Sequence, residues 1–194
     1  MNRRVEPMLD YSIRRLRPTD SLDGLTALLH RAFRDLALQG IACECGSQSV
    51  ERTRERVARG DCFVAVSGGA LVGTVTLEKA DRSSSIAAYR DPGTASVHQL
   101  AVEPARQGAG VGRALITQAA AWARARRFAR LALDTPEGAL KQLAWYVDRG
   151  FDRVGTVHVA GRCHASVVLA RTVSAGPAGM QAFPTRRPFQ PAAR

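Results

Sequence analysis

Apolar residues recur along this chain with the two periods that distinguish strands from helices. Runs that alternate between polar and apolar residues, or that are apolar throughout and flanked by turn residues, predict strands. These runs are residues 11–17, 62–66, 70–77, 95–102, 130–133, 154–159 and 165–170. Gly68 and Gly69 separate the second run from the third, which predicts a β-hairpin.

Four intervening segments carry apolar residues at helical spacing. Thr19 or Asp20 is expected to cap the first helix, and Ser47 or Ser49 is expected to open the second, more polar one. The third helix follows the glycines of residues 108–112. These starts and spacings predict one helix pair before the hairpin and two single helices after it.

The fourth helix is predicted to begin at Thr135, with a proline at its first helical position, and to end at Gly150. Asp134 precedes it, where a carboxylate either meets substrate or caps this helix, and we favour the cap. The core face of the helix is expected to consist of Leu140, Leu143 or Ala144, and Val147.

The resulting order of elements is β-α-α-β-β-β followed by α-β-α-β-β. Neighbouring strands come first and strand–helix–strand units follow, which predicts an α/β fold. We expect a mixed, mostly antiparallel sheet of six to seven strands, flanked by about four helices. A doubly wound parallel sheet fits this order less well.

The length and composition are those of one globular domain. With 194 residues, 45% of them hydrophobic and 23% charged, the chain is long enough for one core and short for two. We expect a flexible extension at residues 1–10, a domain at 11–171 and a disordered basic tail at 172–194. Neither a secretory signal nor a membrane-spanning run is evident, so we expect a cytoplasmic protein that binds no membrane.

The formal net charge of +11 is spread unevenly along the chain. Residues 1–17 contribute +3 and residues 171–194 contribute +4, which leaves +4 for the rest. Only two lysines accompany 26 arginines, and this skew indicates a bias in genome composition rather than a phosphate-binding surface. We therefore interpret the basic ends as solvated tails and expect no specific nucleic-acid partner.

The four cysteines do not form a recognisable metal motif. Cys43 and Cys45 are one residue apart, and no second pair with zinc-ligand spacing follows them. Cys62 opens an apolar run and is expected to pack within a strand. The sequence thus predicts no metal site.

The glycines at 108, 110 and 112 follow a strand and open a helix, which is a favourable place for an anion. Backbone N–H groups point at the ligand there, and the helix N-terminus adds about half a positive charge. Glycine permits a positive φ and lets a phosphate approach the backbone closely. The segment does not have the x-x-Gly ending of the dinucleotide motif, and it lacks the Gly-Lys-Ser/Thr of a P-loop.

Residues 100–115, LAVEPARQGAGVGRAL, resemble the acetyl-CoA-binding segment of the GNAT superfamily of N-acetyltransferases. Gln107, Gly110 and Gly112 match the family pattern Gln/Arg-x-x-Gly-x-Gly/Ala. A second family feature, a tyrosine followed four residues later by Gly-Phe, is present as Tyr146 and Gly150-Phe151. The resemblance covers about residues 11–170.

The resemblance implies a role for each part of these motifs. The strand at Leu100, Ala101 and Val102 would separate from its neighbour and offer backbone groups to the pantetheine arm. The N–H groups of the loop would hold the pyrophosphate, and Arg106 and Arg113 could add positive charge near it. The loop residues concerned are Gln107, Gly108, Ala109, Gly110, Val111 and Gly112.

Proton transfer is expected from two further side chains. The resemblance places Tyr146 near the thioester sulfur, where it would protonate the departing thiolate. His98 is the candidate base for the acceptor amine, because it is expected to share a strand face with Leu100 and Val102. A histidine here resembles the serotonin N-acetyltransferase branch of the superfamily. Glu103 is the reserve candidate.

One position departs from the family pattern. Many relatives have an asparagine seven residues before the tyrosine, at the start of the helix, where it contacts the cofactor. Ala139 occupies that position here. The departure puts in doubt any donor contact that the fourth helix would make.

The sequence therefore predicts an N-acetyltransferase that moves the acetyl group of acetyl-CoA to a primary amine through a ternary complex. The acceptor would be a small molecule, an amino acid or a protein N-terminus, and the protein could form a homodimer. The alternative is a non-catalytic acyl-CoA-sensing or nucleic-acid-associated module of the same fold.

Overall fold

The computed structural model describes residues 10–159 and 164–173, which contain seven strands and five α-helices. The strands are β1 (Ser12–Arg15), β2 (Asp61–Ser67), β3 (Ala70–Glu78), β4 (Thr94–Val102), β5 (Arg130–Pro136), β6 (Asp152–His158) and β7 (Ala165–Thr172). The helices are α1 (Leu22–Leu38), α2 (Val50–Ala58), α3 (Ala87–Arg90), α4 (Val111–Ala125) and α5 (Leu140–Val147). The predicted extension and tail lie almost entirely outside the described residues.

The strands form one sheet in the order β1-β2-β3-β4-β5-β7-β6. Every neighbouring pair is antiparallel except β4 and β5. The predicted α/β class and the mostly antiparallel sheet are confirmed. The described part of the chain has one α-helix beyond the four predicted, the single turn α3. It lies in the polar segment between β3 and β4 and is too short to show a helical period in the sequence.

Two helix starts differ in how well the sequence predicted them. Ser21, not Thr19 or Asp20, caps α1, and its Oγ accepts the Gly24 N–H at 3.0 Å. Asp20 instead forms a bidentate ion pair with Arg14. The prediction for α2 is confirmed in Ser49, whose side chain accepts the Arg52 N–H.

The predicted start of the last helix is wrong. Strand β5 continues to Pro136, because β7 pairs with it along its whole length, from Arg130 opposite Thr172 to Pro136 opposite Ser166. Asp134 therefore lies within a strand and caps nothing. Helix α5 begins at Leu140, and Ala139 is its N-cap without a side-chain hydrogen bond.

The predicted core face of α5 is also largely wrong. Leu140 and Val147 are 63% and 50% exposed. Leu143 is the predicted residue that does pack against the central core, together with Trp145 and Tyr146, which were not predicted there.

The helices cover the sheet on two sides. Apolar residues of α4 pack against β3, β4, β5 and β7 in the central core, which includes Leu115, Trp122, Val75, Val97, Leu131 and Leu169. On the other side, Leu25 and Leu28 of α1 pack against Val64 of β2. Tyr89 of α3 packs there too, against Ala132 of β5.

Strands β4 and β5 separate partway along their length. They pair only from Thr94 opposite Arg130 to Ser96 opposite Ala132. Beyond this point β4 still pairs with β3, as far as Val102 opposite Gly73, and β5 still pairs with β7. The result is a V-shaped opening between residues 97–102 of β4 and residues 133–136 of β5.

A β-bulge in β4 changes which side chains face this opening. Thr74 and Thr76 of β3 lie opposite Ala101 and His98, so one β3 residue opposes both Gln99 and Leu100. Gln99 adopts a φ of 50°, in the left-handed region. Leu100 consequently packs with Val97 on the α4 side of the sheet.

The expectation that His98 shares a face with Leu100 and Val102 is therefore wrong. The bulge inverts the alternation of side chains between His98 and Leu100. His98 lies on the α1 side of the sheet, where it contacts Ser96 and Tyr89.

Candidate active site

The glycine segment forms a loop that turns tightly into α4. Gly108 and Gly110 have φ values of 80° and 85°, and Gly110 is the N-cap of the helix. The first bond of the helix runs from the Ala114 N–H to the Gly110 carbonyl oxygen. The N–H groups of Val111, Gly112 and Arg113 therefore have no intrahelical acceptor, an arrangement that suits an anion at the start of the helix.

Two other N–H groups of the segment are used to build the loop itself. The Gln107 N–H donates to the Pro104 carbonyl oxygen at 3.2 Å, and the Ala109 N–H donates to that of Arg106 at 3.4 Å. The Gln107 side chain donates to the carbonyl oxygen of Val102 at 3.3 Å. Gln107 thus joins the loop to the end of the separated strand.

Gly112 has a different role from the two preceding glycines. It lies within α4 and its φ is not positive. A Cβ added there would be 3.1 Å from the Cζ2 atom of Trp145 and 3.5 Å from Val102. Gly112 therefore allows α4 to pack closely against α5.

The two arginines near the loop also differ from each other. Arg106 forms an ion pair with Asp10 and donates to the Ser67 hydroxyl at 3.2 Å, so its charge is already compensated. Arg113 is exposed in the first turn of α4 and forms no ion pair among the described residues.

Tyr146 lies on α5, near enough to Asp134 of β5 for that carboxylate to affect its pKa. Burial raises the pKa of its phenol well above the usual range, and the nearby Asp134 and Cys45 raise it further. Its ring contacts Trp145 and Phe151 edge-on, at centroid distances of 5.1 and 5.7 Å. The hydroxyl therefore stays protonated over the physiological pH range, as a proton donor requires.

His98 is held by a polar set of residues at the point where β4 and β5 separate. Its Nε2 lies 2.8 Å from the Ser96 Oγ and 3.9 Å from a carboxylate oxygen of Glu78. Burial raises the pKa of Glu78, although Arg59 and Arg56 partly oppose this effect. The imidazole is partly buried, with 20% of its side chain exposed.

Tyr89 connects His98 with Asp134. Its hydroxyl donates to the Asp134 carboxylate at 2.9 Å, and its ring meets the His98 ring edge-on at 5.3 Å. Sequence reasoning gave no role to Tyr89, because a lone tyrosine in a turn-rich segment carries no spacing signal. The contact depends on α3 folding back over both strands.

The sequence also singled out Glu103, as the reserve base, and Cys45, as one of two closely spaced cysteines. The Glu103 carboxylate accepts hydrogen bonds from Nε and Nη2 of the Arg31 guanidinium, at 2.7 to 3.0 Å. Cys45 is buried next to Leu29 and Ala101.

Among the described residues, no group of three or more metal-ligating side chains could hold a metal ion. No helix in the described part of the chain is long and apolar enough to cross a membrane.

Several solved structures are similar to this one. The ribosomal-protein-S18-alanine N-acetyltransferase from Escherichia coli matches with a TM-score of 0.66 and 18% identity, over 89% of this chain and 99% of that one. An IAA acetyltransferase from Bacillus cereus matches with a TM-score of 0.57 and 22% identity, over 84% and 99%. A GNAT family acetyltransferase from Elizabethkingia anophelis, with acetyl-CoA bound, matches with a TM-score of 0.59 and 16% identity, over 84% and 98%.

A search of curated proteins found no match to the chain. The sequence profile of the acetyltransferase (GNAT) family matches residues 25–151, well over half of the chain. The glycine loop, the separated strands and α5 all lie within this match. The chain therefore belongs to the acetyltransferase (GNAT) family.

Proposed function

We propose that the protein transfers the acetyl group of acetyl-CoA directly to a primary amine within a ternary complex. The observation that carries this proposal is the V-shaped opening between β4 and β5. The anion-binding loop lies at the β4 side of the opening. Tyr146 lies near the β5 side, since the Asp134 carboxylate affects its pKa. An extended thioester with an anionic end fits between these two features.

The donor is held mainly by backbone groups. The N–H groups of Gly108 and of residues 110–113 take the pyrophosphate, since none of them has an acceptor within the loop. The backbone of Leu100, Ala101 and Val102 on the side facing β5 takes the amide groups of the pantetheine arm. Gln107 and Ala109 contribute by shaping the loop rather than through their own N–H groups.

The chemistry requires one proton to leave the amine and another to reach the sulfur. The amine nitrogen attacks the thioester carbonyl carbon and loses its proton to a base, and the carbon–sulfur bond then breaks. Tyr146 donates its hydroxyl proton to the departing thiolate, a role supported by its closeness to Asp134 in the separated part of β5. The products are the N-acetylated amine and the thiol of CoA.

His98 remains the proposed base, and the geometry adds Asp134 as a second candidate. Asp134 lies in the separated part of β5 and interacts with Tyr146, so it is close to the proposed thioester position. Tyr89 holds it and contacts His98, which makes Tyr89 a positioning residue for both. Glu103 is less suitable, because Arg31 already neutralises it.

A primary amine is the acceptor class that the known relatives support. The similar Escherichia coli enzyme is an alanine N-acetyltransferase of ribosomal protein S18. Side chains on the α1 side of the opening, namely Glu78, His98 and Asp134, present polar groups to an amine. The proposal extends to small amines, amino acids and protein N-termini.

The experiment is an acetyl-transfer assay with acetyl-CoA and a panel of primary amines, which includes arylalkylamines, amino acids and peptides that begin with alanine. We expect CoA thiol release that depends on the amine and equals the amount of acetylated product. Binding of acetyl-CoA without release for any amine would contradict the proposal and favour a sensing module.

A further inference from the structure

A cavity of about 620 Å³ lies where α2 and β3 end, and none of its lining residues belongs to the glycine loop. Its walls come from the end of α2, the start of β2, the end of β3 with the residues that follow it, and the end of α4. Glu78 connects the cavity with the active site, because it lines the cavity and its carboxylate lies 3.9 Å from Nε2 of His98. The cavity therefore adjoins the side chain proposed to take a proton from the acceptor amine.

Charged side chains of both signs line this cavity. The lining carboxylates are those of Asp61, Glu78 and Asp81, and the lining cations are Arg59, Lys79, Arg82 and Arg126. Asp61 forms ion pairs with Arg126 and with Arg15 of β1. It also accepts the indole N–H of Trp122. Asp61 and Arg126 are therefore already matched with each other and with their neighbours.

The other three cations of the cavity have no such match. Arg59, Lys79 and Arg82 form no ion pair with any described carboxylate. Their side chains are exposed, so a ligand can reach them. Asp81 accepts hydrogen bonds from the backbone N–H and the hydroxyl of Ser83. Apart from Glu78 and the Asp61 ion pairs, three cations thus stand against one carboxylate.

Arg59 is close to both remaining carboxylates. Hydrogen bonds from Ser83 lower the pKa of Asp81, and the Arg59 charge lowers it further. Burial raises the pKa of Glu78, and Arg59 opposes this effect. The cavity thus places a carboxylate next to the candidate base and unpaired cations close by. A small molecule with one charge of each sign fits this arrangement, and only one orientation avoids bringing like charges together.

Part of the cavity wall is apolar and fixed in position. Leu77 and Trp122 line the cavity and are buried in the central core. The Trp122 ring stacks on Phe128 at a centroid distance of 5.7 Å, and the Arg126 guanidinium lies 4.5 Å from its centre. The methylene groups of a short carbon chain can pack against this wall and lose their contact with water.

We propose that this cavity binds the carboxylate of the acceptor, so that the preferred substrates are free amino acids. The amine lies toward Glu78 and His98, and the carboxylate lies toward Arg59, Lys79 and Arg82. An amine without a carboxylate, or the N-terminus of a protein, lacks the anionic group that these cations would bind. The inference rests on the proposed function, because it names the class of amine that receives the acetyl group.

The test compares amino acids with their amides as acceptors for the wild-type enzyme at saturating acetyl-CoA. The pairs are glycine and glycinamide, β-alanine and β-alaninamide, and γ-aminobutyrate and its amide. For the best pair, kcat/KM should be roughly 10-fold higher for the acid, since three exposed cations each add the modest energy of a surface ion pair. The amine of the amide loses its proton more readily, so the fraction of neutral amine works against this difference. Equal values within all three pairs would overturn the proposal.

Two variants locate the effect in the cavity. Arg59→Gln and Arg82→Gln should each lower the acid-to-amide ratio of kcat/KM by roughly 3-fold, and together by roughly 10-fold. A ratio is used because any change in proton transfer affects the acid and the amide alike. Arg54→Gln is the matched control, since Arg54 is exposed on the same helix α2 and does not line the cavity. A ratio that stays unchanged in the double variant would overturn the proposal.

A binding measurement separates this inference from the proposed function, because it needs no acetyl transfer. NMR spectra of the isotope-labelled protein are recorded with each of the three amino acids and with each amide. The amino acids should shift the backbone amide signals of Gly60, Lys79 and Arg82, which line the cavity, and the amides should shift them much less. If no amine is acetylated but these shifts are found, the proposed function fails and the carboxylate site stands. If amines are acetylated but acids and amides give equal shifts, the proposed function stands and the carboxylate site is overturned.

Discussion

The hydroxyl of Tyr89 donates a hydrogen bond to the carboxylate of Asp134 at 2.9 Å. Tyr89 belongs to the short helix α3, and Asp134 belongs to the part of β5 that has separated from β4. The same tyrosine ring meets the His98 ring of β4. One side chain therefore joins the two strands at the point where they separate, and it contacts both proposed bases.

Tyr89→Phe should lower kcat by roughly 10-fold, since a hydrogen bond to a charged group contributes about 1.5–3 kcal/mol. The ring and its packing remain, so the KM for acetyl-CoA should change little. Steady-state kinetics with a saturating amine measures both values.

The control for this change is its repetition in two backgrounds, Asp134→Asn and His98→Gln. If Tyr89 acts through Asp134, the additional loss should be small in the first background and full in the second. A full additional loss in both backgrounds would contradict a positioning role for the hydroxyl.

Tyr146→Phe should lower kcat by about 10²-fold or more, within the usual range for general acid catalysis. The Kd of acetyl-CoA should hardly change, because the ring still packs between Trp145 and Phe151. The raised pKa of Tyr146 keeps the phenol protonated, so the wild-type kcat should not fall as the pH approaches 10. An unchanged kcat in Tyr146→Phe would refute the assignment of Tyr146 as the acid, whereas a loss of rate centred near pH 9 that this variant abolishes would contradict only its raised pKa.

The sequence predicted the sheet, the hairpin and the glycine loop because their signals are local. Gly108 and Gly110 lie at the left-handed positions that a tight turn into a helix requires. Ser49 caps α2 through a bond to a residue three positions away. Each of these features depends on neighbours in the chain, so the pattern of residue types carries it.

The errors arose where distant residues decide the structure. The bulge at Gln99 inverts the face of His98, and no residue type in β4 marks it in advance. The pairing of β7 with β5 keeps Thr135 and Pro136 extended, although the same residues have the chemistry of a helix start. Tyr89 reaches Asp134 over 45 positions of the chain, a distance at which sequence patterns give no information.

Gly112→Ala should destabilise the protein by about 1 kcal/mol, as overpacking does. The new Cβ would lie 3.1 Å from the Trp145 ring. The Arg149 guanidinium lies over this ring and limits its movement. In an open helix the same change would be favourable, since alanine has the higher helix propensity. Chemical denaturation measures the free energy of unfolding, and Trp145→Leu should remove the penalty. A more stable Gly112→Ala protein would contradict the close packing of α4 on α5.

Glu78→Gln should raise the Tm at pH 7. Burial raises the pKa of Glu78 in the folded protein above its usual 4.5, so the folded state binds the proton more tightly than the unfolded state. Stability from this group is therefore full at low pH and is lost as the pH rises through the folded pKa. The gain from the substitution should disappear near pH 4, and thermal unfolding across this range measures it. An equal gain at both pH values would show that ionisation is not its cause.

We propose that one acetyl group passes directly from acetyl-CoA to an amine in the opening between β4 and β5. The most direct measurement follows isotopically labelled acetyl groups from acetyl-CoA by mass spectrometry, with and without an acceptor amine. Without amine, we expect the label to stay on CoA and the protein mass to be unchanged. With amine, we expect the label only on the amine nitrogen. Label that stays on CoA with every amine, or that accumulates on the protein, would contradict it.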